Sequence, residues 1–518
     1  MRRGLLIGLA VALAVLAGAA AVWAFSGVKL VADASALGRV ESQPFAGSLV
    51  SVRARSASGR AIPLVVSHGR LTPRAQVASG EQISLSVVVR RPGWESWALG
   101  AERHETLTVE TPVAKVVNRW VVAHGTRAEV RFDTPVNRIS VTDAAVSGRT
   151  VTLPAKTPAG SVNLASAARP WEKLGAPVRV TWFPQSERPV ALVSPGPNTS
   201  ANPLTPIRLT FSVPISRALG DQRPTLVPAV SGHWTTADDH TLLFAPSGAG
   251  APFDSEVAVH FPSPFVVADP TGTDAHVATS LRLKIAPASF LRLQQLLAQE
   301  GYLPLDWTPA HADVPRTMRS ELAAAVYPPR GQFHWAYSQT PHELEALWKA
   351  GEPNEITRGA VMMFEDEHHL AVDGIAGPRV WREMLADAAA GKRRTAGYSY
   401  VYVHRDVPQL MTLWHNGSIV LTSPGNTGVP AAPTALGTWP VFEHIPVGRM
   451  SGANPDGSHY NDPGIRWISY FHGGEALHAF NRASFGTPQS LGCVELPLDA
   501  AAKVWPYTPI GTLVTIEN

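Results

Sequence analysis

From about residue 28 to residue 183, short runs alternate apolar and polar residues one for one, and that period restricts this part of the chain to β-structure. Ser84-Leu85-Ser86-Val87-Val88-Val89 and Arg127-Ala128-Glu129-Val130-Arg131-Phe132 are two such runs. A strand sends successive side chains to opposite faces, so a period of two describes a strand with one face buried. Turn clusters break the runs at intervals near the ~8–12 residues typical of sandwiches. Of 518 residues, 45 are Pro and 42 are Gly, which supplies those turns and stays below the ~25–30% that marks low complexity. Apolar residues make up 45%, enough for several cores, so the chain is not wholly disordered. The expected organisation is multidomain and mainly β, with β-sandwich modules over 28–111 and 112–190.

Ser194-Pro195-Gly196-Pro197-Asn198 reads as a linker. The third β module, 191–286, contains Ile207-Arg208-Leu209-Thr210-Phe211 and Thr241-Leu242-Leu243-Phe244. It resembles the immunoglobulin-like (Ig-like) modules of bacterial surface proteins, which implies a spacer. At the N-terminus, Arg2-Arg3 precede an uncharged run from Gly4 to Phe25, 22 residues rich in Leu, Val and Ala. As a helix it would reach about 33 Å, the scale of a ~30 Å hydrocarbon core. Residues 1–25 are therefore expected to be a membrane-spanning signal anchor, or a signal peptide cleaved near Ala19-Ala20-Ala21. Either predicts an extracytoplasmic protein of the cell envelope, membrane-anchored or secreted to the wall. Lys and Arg total 44 against 41 Asp and Glu, a formal charge of +3. That balance gives no electrostatic basis for nucleic-acid binding.

Near Pro287 the period changes. Leu291, Leu293, Leu296 and Leu297 fit one helix face, with Ser289 as N-cap and Gly301 as terminator. Further helical stretches cover Glu343 to Trp348, Arg358 to Phe364 and Pro378 to Ala390. The segment Gly359-Ala360-Val361-Met362-Met363-Phe364-Glu365, followed by His369 to Gly377 with its Asp373-Gly374 pair, Trp381 and Leu385, resembles the small helical peptidoglycan-binding module. That module is placed at 287–391. His369 stands where the family has Gly, and a long insertion follows Tyr302. The neighbouring Glu365-Asp366-Glu367-His368-His369 lacks metal-ligand spacing and reads as a solvated turn.

Strand patterns return from Tyr398, and Asn416-Gly417 is a hairpin signal. His478 lies in a strand, and 14 residues separate it from Cys493, the one cysteine of the chain. A lone thiol excludes an intramolecular disulfide and a cysteine-based zinc cluster. On a glycine turn beside an imidazole, a thiol can act as a nucleophile; free cysteines are also often buried hydrophobes, and spacing alone leaves both readings open.

The surrounding residues add a specific likeness. Leu477-His478-Ala479-Phe480, Gly486 and Ser490-Leu491-Gly492-Cys493-Val494 resemble the signature of the L,D-transpeptidase (YkuD-like) catalytic domain, and Pro433 to Val441, Met450-Ser451-Gly452 and Trp467 extend the match. The resemblance covers 397–518. It implies Cys493 as nucleophile, His478 as proton donor and acceptor, and Ser490 and Gly492 in the turn and oxyanion region. It further implies peptidoglycan stem peptides as partners, 3→3 cross-links through a cysteine thioester, and neither cofactor nor metal. A carboxypeptidase, a protein-anchoring transferase and a non-catalytic wall-binding protein are the alternatives. Leu491 stands where the family often has His, and Glu495 where it often has Arg or Asn. His472, in a Gly-Gly turn, is a rival base. An unperturbed thiol, pKa ~8.5, would be a few per cent thiolate at pH 7.

Overall fold

The alternating runs become sheets in the computed structural model, which describes residues 2–142, 145–197, 199–270, 275–312 and 315–518. In the first region the strands Val28–Val31, Gly38–Ser42, Arg70–Pro73 and Leu64–Ser67 form one sheet, and Ala61–Ile62, Ser48–Ser56, Gln82–Arg90 and Glu102–Glu110 form another. Every second residue of Gln82–Arg90 is buried: Ile83, Leu85, Val87 and Val89. They meet Val28 and Leu71 of the opposite sheet, and Leu37 just before its second strand, in one core. The second region has a five-stranded sheet in which Trp120–His124 and Val178–Phe183 run parallel.

The third region differs from the expected Ig-like sandwich. Its strands join into a single seven-stranded sheet, because Val190–Ser194 pairs in parallel with Glu256–Ala268 and antiparallel with Ile207–Phe211. The linker's Asn198 lies outside the described residues.

The expected membrane segment is also corrected. Arg2–Phe25 forms a helix, but among the described residues no helix is long and apolar enough to cross a membrane. The side chains of 1–7, 9–10 and 21–22 lie outside the described residues. The membrane partner and the membrane-anchored localisation fall with that segment.

The longer helices that follow are α1 (Phe290–Gln299), α2 (Met318–Val326), α3 (Glu355–Glu367) and α4 (Pro378–Ala390), with a single short turn of helix, His342–Glu345, between α2 and α3. Ser289 holds the N-cap position of α1 without a side-chain cap bond; Asn354 caps α3, its side chain accepting the Thr357 N–H. Gly391 closes α4 in the left-handed conformation. His369 takes φ 54°, a backbone shape glycine adopts freely, at the position where the resembled module carries Gly. Glu365, fully buried, accepts the N–H groups of Asp373 and Gly374 in the next turn.

The last region is a two-sheet structure. One sheet orders β3 (Ser418–Pro424), β2 (Leu410–His415), β1 (Ser399–His404), β9 (Leu513–Glu517) and β4 (Gly437–Pro440). The other orders β5 (Glu443–Ala453), β6 (His459–His472), β7 (Glu475–Ala479) and β8 (Val494–Leu496). Val401, Met411, Leu413 and Val514 from the first sheet pack on Leu477, Val494 and Leu496 from the second, together with Ala500 and Val504 of α5 (Leu498–Val504).

The helical region and this domain share a core. Tyr398, Tyr400, Trp414 and Leu513 belong to the same buried cluster as Leu296, Phe364 and Trp381. The Trp414 indole N–H donates to the Gln339 carbonyl oxygen at 2.7 Å. At the closest approach of α3, a Cβ on Gly359 would run into the Gly511 carbonyl oxygen, and one on Gly511 into that of Gly359. Gly359→Ala is therefore expected to destabilise the C-terminal half by about 1–3 kcal/mol. Gly93→Ala, with nothing within 4 Å of the added methyl, should change little; thermal unfolding of both variants checks the contrast, and equal melting temperatures would refute the close approach.

Candidate active site

β7 and β8 lie side by side in parallel, with Leu477 opposite Val494 and His478 opposite Glu495. That register sets the turn before β8, which carries Cys493, against the strand that carries His478. Both line one cleft of about 320 Å³, with Tyr460, Arg482 and Glu495 on its walls.

The turn before Cys493 is held from within. The Ser490 hydroxyl donates to the Cys493 carbonyl oxygen at 2.5 Å and accepts the Gly492 N–H at 3.3 Å. Gly492 has φ 112°, and a Cβ there would sit 3.2 Å from Glu475 Oε1, so a side chain is opposed by both backbone and neighbour. The loop is also pinned from outside. The Asn426 side-chain oxygen accepts the Gly486 N–H, and Asn426 and Glu495 exchange backbone hydrogen bonds. Ser490 N–H donates to the Thr427 carbonyl oxygen, and Thr427 N–H in turn donates to Gln409 Oε1. Gln409, Asn426 and Thr427 are all buried, so these bonds are shielded from water and costly to lose.

His478 is 3% exposed. Its Nδ1 lies 3.0 Å from the Ala479 carbonyl oxygen, and a carbonyl only accepts, so Nδ1 carries the proton and Nε2 keeps its lone pair. Burial holds the imidazole below its usual pKa, ahead of smaller influences from the Ala479 carbonyl, Glu495 and Arg482. It is therefore neutral at pH 7.

The thiol departs from the sequence expectation. Burial pushes Cys493 up to about 12; the Ala476 backbone N–H pulls the other way, and the charges of Glu495 and Glu475 push it higher still. The resting site holds a neutral thiol, whose Sγ lies 3.7 Å from the Gly474 carbonyl oxygen, and a neutral imidazole on the wall of the same cleft, because neither ion is well solvated there.

His472, the rival base, closes β6. Its Nδ1 is 3.3 Å from Glu475 Oε2 and its ring lies 4.4 Å from that of Trp439. It is not among the described residues that line the cleft. Sequence reasoning missed Arg482, whose guanidinium makes a two-pronged bond to Glu495, Nε to Oε2 at 2.8 Å and Nη2 to Oε1 at 2.7 Å. An acid where a base or amide is usual, two residues after the cysteine, was the available signal. The Glu365 to His369 stretch is not the solvated turn expected: Glu365 to Glu367 close α3, and Glu365 is fully buried.

A thiol and an unprotonated imidazole in one cleft are the groups that cysteine-dependent acyl transfer requires. The family comparison gives it a narrower class: the model of the L,D-transpeptidase catalytic domain matches residues 398–516. The chain carries an L,D-transpeptidase catalytic domain and is a cysteine-dependent acyltransferase. No curated protein matches the chain. Among solved structures, an L,D-transpeptidase from Mycobacterium smegmatis is 12% identical, over 63% of this chain and 99% of its own, with a TM-score of 0.21. L,D-transpeptidase 3 from Mycobacterium tuberculosis, with a faropenem-derived adduct, is 13% identical over 63% and 97%, with a TM-score of 0.22. The catalytic domain of the E. faecium L,D-transpeptidase is 21% identical over 24% and 99%, with a TM-score of 0.22.

The thiol's environment sets its free reactivity. Alkylation of Cys493 by iodoacetamide is expected to climb about tenfold per pH unit from 7 to 10, since the thiolate is the reactive form and its pKa lies above that range. A plateau near the ordinary thiol pKa of ~8.5 would contradict the burial argument.

Proposed function

We propose that the domain forms 3→3 peptidoglycan cross-links, with Cys493 as nucleophile and His478 as proton acceptor and donor. The observation that carries this reading is the cleft shared by the two side chains, with the His478 tautomer fixed for proton acceptance. Cys493 Sγ attacks the carbonyl carbon of the third stem-peptide residue, a diamino acid, and His478 Nε2 takes the thiol proton. Proton transfer accompanies attack, because the thiol's high pKa disfavours a standing thiolate–imidazolium pair. The Cys493 amide serves the tetrahedral oxyanion, while the Gly492 amide is held by Ser490 Oγ. Collapse breaks the peptide bond, the terminal D-alanine leaves with the proton from His478, and a thioester remains. The amine of a second stem then attacks the thioester, gives its proton to His478, and expels the sulfur, which recovers that proton. Acyl transfer of this kind needs no cofactor or metal.

The helical region, 287–391, resembles a peptidoglycan-binding module, and we assign it the task of orienting the catalytic domain. The core it shares with Tyr400, Trp414 and Leu513 supports that assignment. The three β regions are assigned as spacers.

Products from purified muropeptides, resolved by tandem mass spectrometry, test the reading. Cys493→Ala should give no cross-linked product, since the chain has no other thiol. His478→Ala should slow acylation about 10²–10⁴-fold, with the residual rate still rising at pH 10 because the thiol titrates at about 12. His472→Ala should stay near the native rate. An alkaline-rescued His472→Ala with a normal His478→Ala would overturn the assignment.

A further inference from the structure

The cleft that holds the thiol is short of positive charge. Asp462 and Glu495 lie on its walls, and among its described lining residues Arg482 is the one Lys or Arg. Arg482 is also immobilised. Its Nε and Nη2 reach the two Glu495 oxygens, and Nη2 also donates to the Gln489 carbonyl oxygen at 3.1 Å. The guanidinium carbon sits 4.6 Å from the centre of the Phe480 ring. These contacts occupy two of the three guanidinium nitrogens and one face. Nη1 makes no hydrogen bond among the described residues, and the side chain remains 32% exposed. Glu495 is buried, its side chain 5% exposed, so a carboxylate there has to be paired. An arginine is the group that satisfies such a carboxylate from two directions and still presents a donor elsewhere.

We infer that Arg482, clamped by Glu495, is the substrate-binding residue that recognises the carboxylate of the acyl donor's leaving D-amino acid through Nη1. The inference rests on the transpeptidase reading above. The leaving group is a single residue, so its carboxylate lies within one residue of the bond that Cys493 attacks, about 3.8 Å between Cα atoms. A guanidinium on the wall of the same cleft is within reach of a group so placed, and carboxylate is the ligand whose geometry and charge it matches. Glu495 places the cation without lending its own charge to the substrate. The acid two residues after the cysteine thus becomes the support of a base that enters from the loop following β7.

Two synthetic stem tetrapeptides test this with the full chain: one with a free C-terminal carboxylate and one with a C-terminal amide. Acylation of Cys493 is followed by intact-protein mass spectrometry. The native protein should favour the carboxylate donor in kcat/KM by about 10- to 100-fold, the range of a hydrogen bond to a charged group. Arg482→Gln should bring that ratio close to one, and Arg482→Lys should keep part of it. Arg482→Gln leaves Glu495 buried and unpaired, so the double variant Arg482→Gln/Glu495→Gln guards against misfolding. It should also give a ratio near one. Recovery of the native ratio in the double variant would show that Arg482 merely neutralises Glu495 and would overturn the inference. Acylation with a ratio unchanged in Arg482→Gln would do the same while leaving the transpeptidase reading intact. Absence of Cys493 acylation by both donors in the native protein would overturn that reading and this inference with it.

Discussion

The parallel register of β7 on β8 is the constraint on which the site depends. With Leu477 opposite Val494 and His478 opposite Glu495, the turn that carries Cys493 meets the strand that carries the imidazole. A slip of one residue would reverse the faces of the shorter strand and turn Val494 out of the core it fills with Leu477. The hydrophobic core therefore enforces the register, and the register assembles the chemistry. The loop between the strands is held by buried bonds to Asn426 and Thr427.

That small sheet is supported from behind. β1, β2 and β9 give one face to the core under β7 and β8, and Tyr400, Trp414 and Leu513 to the core of the helical region. The first sheet of the catalytic domain is thus sandwiched between the second sheet and the preceding helices. The Gly359–Gly511 approach brings backbone against backbone there, which a flexible tether would not require.

What was legible in the sequence was local. Ser490, Gly492 and Cys493 lie within four positions, and the glycine's need for φ 112° is a property of that turn alone. The strand alternation of Gln82–Arg90 and the end signals of Pro378–Ala390 were equally local, and both elements formed. What was not legible depends on distant partners or on burial. Gln409 and Asn426 sit 84 and 67 positions before Cys493, and polar residues in a loop do not announce a buried network. The 11- and 14-residue strands β5 and β6 carry little signal along most of their length, because outside Ile465 and the Ile468 to Phe471 end of β6 their side chains are exposed or half-exposed. The seven-stranded sheet of 190–284 arises from a parallel pairing across more than seventy residues, which no local pattern encodes. The thiol's rise to about 12 follows from the walls around it, whereas its sequence neighbours point to an ordinary cysteine.

On the proposed reading the resting thiol and imidazole are both neutral, and acyl transfer begins when an acyl carbonyl enters the cleft. Rapid-quench mass spectrometry with a stem tetrapeptide donor and no acceptor, followed by peptide mapping, tests this most directly. The account predicts an adduct on the Cys493 peptide whose mass is that of the donor less its terminal D-alanine. An adduct that retains the terminal residue, or one borne by any residue other than Cys493, would contradict it.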